Sequence, residues 1–181
     1  SFAFTARDHL DLAQAHGWLD APRGTKASGS RFVYRLGDLA LLEMALYRYA
    51  LARVTEQGHI PMLPPVLVRE EAMYGTGFFP TDAVNIYGVE RDGLYLVGTS
   101  EVPAAAFHAG EFLEELPLRY VAYSTCFRRE AGAAGKDTRG MFRVSNTTDF
   151  QARQADGSIA VPRVLLEFGA PPRMGSNKIA R

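Results

Sequence analysis

The fold of this chain is limited most by residues 123–144, which read YSTCFRREAGAAGKDTRGMFRV. Strand-forming runs at 120–129 and 141–144 enclose a loop that holds three glycines, a Lys-Asp pair and an arginine. Runs of this kind on either side of a glycine-bearing loop predict a β-hairpin with a long tip.

The charged residues of this hairpin predict an anion site. Because side chains alternate across a strand, Arg128 and Glu130 should project from one face and Arg129 from the other. An arginine fork binds carboxylate or phosphate oxygens, and a glutamate can accept from an amine. The alternative is a hairpin stabilised by surface salt bridges, without a ligand, and this interpretation would be preferred for an isolated Arg-x-Glu. Three further cations around the glycine-bearing tip, Lys136, Arg139 and Arg143, favour the anion site.

Composition narrows the remaining possibilities. With 181 residues and 47% hydrophobic content, the chain suits a single α/β or α+β domain. Twenty Lys and Arg balance twenty Asp and Glu, so contact with a polyanion must come from a local patch. The single cysteine, Cys126, excludes an internal disulfide and a cysteine-built zinc site, and we expect it to lie buried in a strand. No apolar run has the length of a membrane span and no leader is recognisable, so the expected location is cytoplasmic.

Helical patterns are concentrated in the first third of the chain. Residues 5–19 predict a short helix that breaks at Gly17, and the polar segment 20–32 predicts an exposed connection. Apolar residues recur at helical spacing through 36–57, where Asp38 can cap the start. This last segment is the strongest helix that the sequence predicts.

Short strands and turns are predicted after that helix. Three prolines within 59–68 forbid a helix and confine any strand to a sheet edge. The Asp-Gly pair at 92–93 predicts a two-residue hairpin turn, and the Thr-Ser-Glu string at 99–101 predicts the cap of a helix over 102–110. The Phe-Phe pair at 78–79 is either a mobile lid or a packed turn.

Residues 126–144, CFRREAGAAGKDTRGMFRV, resemble the second signature motif of class II aminoacyl-tRNA synthetases, in the form found in seryl-tRNA synthetases. The string KASGSRF at 26–32 is similar to a segment that precedes the first long helix of that family's catalytic domain. Residues 145–162 resemble strings that lie further along the family's sequence. The resemblance therefore implies that two segments of the family are absent from this sequence. The segment after the second motif is absent at the join after Val144, and the third motif is absent at the join after Arg153. It also implies that the N-terminal tRNA-binding arm is missing.

The resemblance implies an α+β fold of the class II kind, with a mixed, mainly antiparallel sheet flanked by helices. It implies one catalytic domain over residues 1–181, truncated or gapped. A long helix followed by a proline-bearing edge strand resembles the first class II motif, so a homodimer through the helix and strand at 38–68 is also implied. From the residues alone, the helix is simply an amphipathic element packed on its own sheet.

The implied activity is that of a serine-tRNA ligase, which uses ATP to form seryl-adenylate and then transfers the seryl group to tRNA(Ser). By resemblance, Arg128 is the catalytic residue that bridges the serine carboxylate and the α-phosphate, while Thr99 and Glu101 bind serine. Two other function classes stay open. One is an amino-acid-activating ligase that charges a carrier protein, and the other is a catalytically inactive fragment that only dimerises.

The resemblance also assigns residues to the nucleotide and to the tRNA. The residues expected to bind ATP are Arg128, Arg129, Glu130 and Val144. The tip residues Lys136 and Arg139 are expected to lie toward the acceptor end of tRNA. Mg²⁺ should accompany the ATP, and no residue of this sequence can be named as its ligand.

Overall fold

The computed structural model describes residues 4, 5, 7–29, 32–129, 156 and 158–175. The chain divides into two compact units, one made of Ser1–Tyr49 with Lys136–Arg181 and the other of Ala50–Gly135. Each unit buries a hydrophobic core of its own. Within the ranges just given, no helix is long and apolar enough to cross a membrane.

Helices, most of them short, are interspersed with short strands along the chain. The helices are α1 (His9–Ala15), α2 (Ala21–Ser28), α3 (Asp38–Thr55), α4 (Glu70–Gly75), α5 (Glu101–Ala106) and α6 (Arg163–Leu166). The strands are β1 (Leu19–Asp20), β2 (Tyr34–Arg35), β3 (Ile60–Met62), β4 (Leu67–Arg69), β5 (Gly88–Val89), β6 (Leu94–Leu96), β7 (Tyr120–Ala122), β8 (Ile159–Ala160) and β9 (Arg173–Met174).

Strand pairing confirms the predicted α+β class with mainly antiparallel strands. Strand β1 pairs with β2, β6 lies between β4 and β5, and β8 pairs with β9, all antiparallel. The exception among the described strands is β3, which runs parallel to β7 with Ile60 opposite Tyr120. Strand β3 carries Pro61 and pairs with β7 alone among the described strands, as expected for a proline-bearing edge strand.

The core of the first unit forms around Trp18, which is 2% exposed, and Met174, which is fully buried. Helix α1 is the short helix predicted over 5–19, and Asp8 caps it by accepting from the N–H of Asp11 at 2.8 Å. Gly17 follows the helix with a φ of 69°, so the chain turns there and brings Trp18 back into the core.

The segment 20–32, predicted as an exposed connection, is exposed over most of 21–29, but it forms helix α2 where the composition indicated a loop. The Asp20 carboxylate accepts from the N–H of Arg23 at 2.9 Å, and proline occupies the first turn, where it has no helical N–H to lose. Gly24 is buried against the backbone of Phe32 and Val33. Capping and this close approach stabilise a helix in a segment whose polar, glycine-bearing composition indicated a loop.

Helix α3 confirms the helix predicted over 36–57. Asp38 is its first residue, and the Asp38 carboxylate accepts from the N–H of Gly175 at 3.2 Å. The helix ends at Thr55, and Gly58 follows with a φ of 85°. Ala45 is its buried residue, whereas Met44 is 54% exposed. The helix therefore packs through a narrow stripe and leaves large apolar side chains accessible.

The core of the second unit lies between α4, α5 and the β4–β6–β5 sheet. Its buried residues are Val68, Met73, Phe79, Ile86, Val97 and Val102. The N–H groups of Phe78 and Phe79 both donate to the carbonyl of Met73, at 2.9 and 3.2 Å. The phenylalanine pair is therefore a packed turn, which settles the choice between a turn and a lid.

The β5–β6 connection is longer than the two-residue turn predicted at 92–93. Val89 pairs with Leu94, and a 3₁₀ turn over Glu90–Asp92 precedes Gly93, which has a φ of 63°. The glycine supplies the left-handed conformation that the predicted turn also needed. The chain reversal takes four residues, 90–93, in place of two.

The strand predicted over 120–129 ends at Ala122. Beyond it, the N–H of Phe127 donates to Val97 at 2.8 Å and that of Arg129 to Asn85 at 2.7 Å. These acceptors lie in separate segments, so no continuous ladder forms. Cys126 is exposed and outside any strand, and its prediction as a buried strand residue was wrong. The returning run at 141–144 lies outside the described residues.

Candidate functional site

Two segments that carry predicted site residues come together in the second unit. The N–H of Phe127 donates to the carbonyl of Val97 at 2.8 Å, and the Nε of Arg128 donates to the carbonyl of Gly98 at 3.0 Å. Gly98 immediately precedes Thr99. The predicted catalytic arginine is thus hydrogen-bonded to the backbone that leads into the predicted serine-binding residues.

Gly98 is buried, and its surroundings leave little room for a side chain. A Cβ atom built there would lie 3.2 Å from Cδ1 of Ile86, 3.3 Å from Nε of Arg128 and 3.4 Å from Cε1 of Phe78. A glycine at this position therefore allows the arginine and the phenylalanine ring to approach the same stretch of backbone.

Each of the two neighbouring arginines lies over a different aromatic ring. The guanidinium carbon of Arg128 is 5.6 Å from the ring centroid of Phe78, and that of Arg129 is 5.1 Å from the ring centroid of Tyr87. Both distances are in the range of cation–π contacts. Both arginines are exposed at the surface.

Thr99 and Glu101 form the start of α5. The Thr99 hydroxyl accepts from the N–H of Glu101 at 3.4 Å, whereas Ser100 makes no side-chain cap. The helix runs over Glu101–Ala106, which is shorter than the predicted 102–110. The Glu101 carboxylate is exposed, in the first turn of the helix, and can accept from an ammonium group.

The remaining predicted site residues lie outside the described residues. These are Glu130, Lys136, Arg139 and Val144. Their roles, and the placement of Arg128 and Glu130 on one face, stay predictions.

Three contact residues of this region were not identified from the sequence: Phe78, Tyr87 and Gly98. A glycine directly after an apolar strand was the only local signal for a close approach at Gly98. Nothing in the sequence linked Phe78 or Tyr87 to arginines that follow many residues later.

A surface cavity of about 610 Å³ in the second unit lies away from these residues. It is lined mainly by apolar side chains of β4, α4 and α5. None of Thr99, Glu101, Arg128 and Arg129 lines it. Among the described residues, no three His, Cys, Asp or Glu side chains are close enough together to hold a metal ion.

Comparison with known proteins gives a consistent result. Residues 87–156 match the family model of the tRNA synthetase class II core domain (G, H, P, S and T). Serine--tRNA ligase 1 of Streptomyces avermitilis is 57% identical over 143 residues, which cover 78% of this chain and 34% of that protein. The serine--tRNA ligase of Acidothermus cellulolyticus is 55% identical over 146 residues, which cover 80% of this chain and 35% of that protein.

Solved structures show the same likeness. The seryl-tRNA synthetase from Pyrococcus horikoshii complexed with ATP matches with a TM-score of 0.73 and 46% identity, over 79% of this chain and 32% of that one. The cytoplasmic serine-tRNA ligase from Naegleria fowleri in complex with AMP matches with a TM-score of 0.69 and 38% identity, over 75% and 32%. The chain thus spans about a third of the length of the relatives it matches.

Proposed function

We propose that this chain, which carries part of the class II catalytic core of the seryl-tRNA synthetases, takes part in the ATP-dependent activation of serine and its transfer to tRNA(Ser). The observation that carries the proposal is the hydrogen bond from Arg128 to the carbonyl of Gly98. It joins the motif that resembles a phosphate and carboxylate site to the segment that resembles a serine pocket. The names of the relatives and the ATP and AMP in the two solved structures give it further support.

In the first proposed step, an oxygen of the serine carboxylate attacks the α-phosphorus of ATP, and pyrophosphate leaves as the bond to the bridging oxygen breaks. This step depends on positioning and charge neutralisation more than on proton transfer. Arg128 binds the serine carboxylate and an α-phosphate oxygen together. Thr99 and Glu101 hold the hydroxyl and ammonium groups of serine.

Nucleotide binding is assigned to Arg128, Arg129, Glu130 and Val144. The fixed backbone of Arg129, whose N–H donates to Asn85 at 2.7 Å, supports a defined place for its side chain. Glu130 accepts from the adenine amino group. Mg²⁺ accompanies the phosphates, and no protein ligand is assigned to it.

In the second proposed step, a hydroxyl of the terminal ribose of tRNA attacks the seryl carbonyl, and AMP leaves. Lys136 and Arg139 lie toward the acceptor end and neutralise its phosphates. With a net formal charge of zero, the chain has no general attraction for RNA, so local cations such as these two are needed for the contact. A cytoplasmic site of action is part of the proposal.

A homodimer through the helix and strand at 38–68 is also part of the proposal. Large apolar side chains are accessible along α3, where Met44 is 54% exposed, and separately after β3, where Leu63 is 79% exposed. Light scattering during size-exclusion chromatography should give twice the chain mass. Met44→Glu should lower that mass, and Leu116→Glu, a change at another exposed leucine (73%), should not.

Serine-dependent exchange of labelled pyrophosphate into ATP tests the activation step on the full 181-residue chain. Exchange above the serine-free background is the expected result. Background exchange from a chain that is folded by circular dichroism would contradict the proposal and leave an inactive, dimerising fragment. Aminoacylation with tRNA(Ser) and with a phosphopantetheinyl carrier protein then identifies the acceptor, and charging of the carrier alone would overturn the tRNA assignment.

A further inference from the structure

Phe78 occupies a position that the backbone and the core both fix. Its N–H donates to Met73 at 2.9 Å, and its carbonyl accepts from the N–H of Asp82 at 2.8 Å. Its side chain is half-buried against the core of the second unit. Its neighbour Phe79 is a member of that core and is 8% exposed, so Phe79 is buried whereas part of Phe78 stays accessible.

The guanidinium of Arg128 lies over the Phe78 ring. The guanidinium carbon lies 5.6 Å from the ring centroid, and the Arg128 Nε donates to Gly98 at 3.0 Å. Arg128 donates to no other acceptor within the part of the chain that the structure describes. A guanidinium has five N–H donors, so the four on its two Nη atoms are left for oxygens of a ligand.

We propose that Phe78 is a positioning residue for Arg128. The ring supports one face of the guanidinium while Gly98 holds Nε, and together they direct the Nη groups outward in one orientation. Neither contact alone would fix an exposed arginine, because a single hydrogen bond leaves the side chain free to swing about it. The inference deepens the proposed function and rests on it.

The kinetic test replaces Phe78 with leucine, which keeps an apolar side chain but removes the ring. If Arg128 acts on charge that develops in the transition state, Phe78→Leu should lower kcat for pyrophosphate exchange and change the KM values for ATP and serine less. A decrease of roughly 2- to 30-fold is expected from the loss of a cation–π contact. Phe78→Tyr, which keeps the ring, should restore the rate.

A matched control is Tyr74→Leu. Tyr74 is 55% exposed and contacts the same core through the ring of Phe79 at 5.6 Å, so its loss reports general damage to the aromatic cluster. An unchanged kcat in Phe78→Leu, or an equal decrease in Tyr74→Leu, would overturn the inference.

A second measurement does not depend on activity. In a ¹H–¹⁵N spectrum of the arginine Nε–H groups, the Arg128 peak, assigned by its loss in Arg128→Lys, should be shifted by the ring current and exchange slowly. It should move to the position of a solvated arginine in Phe78→Leu. A solvated position in the unmodified chain would overturn the inference even if Phe78→Leu failed to fold. A shifted peak in a chain without exchange activity would uphold the contact while contradicting the proposed reaction.

Discussion

The Nε of Arg128 donates to the carbonyl oxygen of Gly98 at 3.0 Å, across 30 positions of sequence. Because the acceptor is a backbone atom, no side-chain replacement at position 98 removes it directly. Its geometry depends instead on how closely the arginine can approach, and a glycine at position 98 permits that approach.

Arg128→Ala tests the central residue of the proposed site. We expect pyrophosphate exchange to fall by about 10²- to 10³-fold, as when a donor to developing charge is removed. The melting temperature should change little because the side chain is exposed. Arg91→Ala, a change at an exposed loop arginine of the same unit, should keep the normal rate. An unaffected rate in Arg128→Ala would remove this residue from the mechanism.

Gly98→Ala tests the close approach at the backbone. The new Cβ would lie 3.2 Å from Ile86 Cδ1 and 3.3 Å from Arg128 Nε, so the free energy of unfolding should fall by about 1–3 kcal/mol and the exchange rate should fall as well. Gly88→Ala is the matched control, because its Cβ would meet ring atoms of Tyr95 at an ordinary 3.5 Å. Urea denaturation and the exchange assay measure the two effects, and equal behaviour of the two variants would contradict the prediction.

Gly24→Ala tests the packing that makes α2 a helix. Its Cβ would lie 2.6 Å from the carbonyl carbon of Phe32 and 2.8 Å from Cα of Val33, and backbone atoms cannot rotate out of the way. We expect a loss of about 3 kcal/mol in the free energy of unfolding. In α4, Gly75→Ala meets no atom within 4 Å, and should be neutral or stabilise by up to about 1 kcal/mol. A Gly24→Ala chain as stable as the unmodified one would show that α2 does not pack in this way.

Asp20 gives a prediction for pH. The N–H of Arg23, followed by its guanidinium, holds the pKa of the Asp20 carboxyl below its ordinary value of 3.8. A carboxyl whose pKa is lower in the folded state stabilises the fold above its unfolded pKa, and this contribution is lost as the pH falls through the folded-state pKa. The free energy of unfolding should therefore decrease below pH 3.8.

Asp20→Asn isolates that contribution, because the amide oxygen can still accept from Arg23 while the charge is gone. Urea denaturation across the acidic range should show a shallower decrease in stability for Asp20→Asn than for the unmodified chain. Parallel curves for the two proteins would mean that the Asp20 carboxyl contributes nothing to the acid dependence.

Several local elements could be predicted because neighbouring residues determine them. Helix α3 follows from apolar residues at helical spacing, and the edge position of β3 follows from Pro61. Helix α5 begins within the polar string 99–101, where the Thr99 hydroxyl accepts from the N–H of Glu101. In each case, hydrogen bonds or steric limits within a few residues are enough to fix the backbone.

Other predictions failed where contacts with distant segments determine the local structure. The segment 20–32 was expected to be a loop, but α2 forms where Gly24 packs against the chain at Phe32. Cys126 was expected to be buried in a strand, but the backbone there bonds to Val97 and Asn85 in place of one continuous partner.

The sequence by itself determined which chemical groups are available for the proposed site: the guanidinium of Arg128, the carboxylate of Glu101 and the hydroxyl of Thr99, in motifs that resemble one family. Only the tertiary structure decided that Arg128 is held between Gly98 and the ring of Phe78. The physical reason is the distance along the chain over which each property is determined. Residue type and local spacing fix what a side chain can bind, whereas its orientation depends on contacts with residues that only folding brings near.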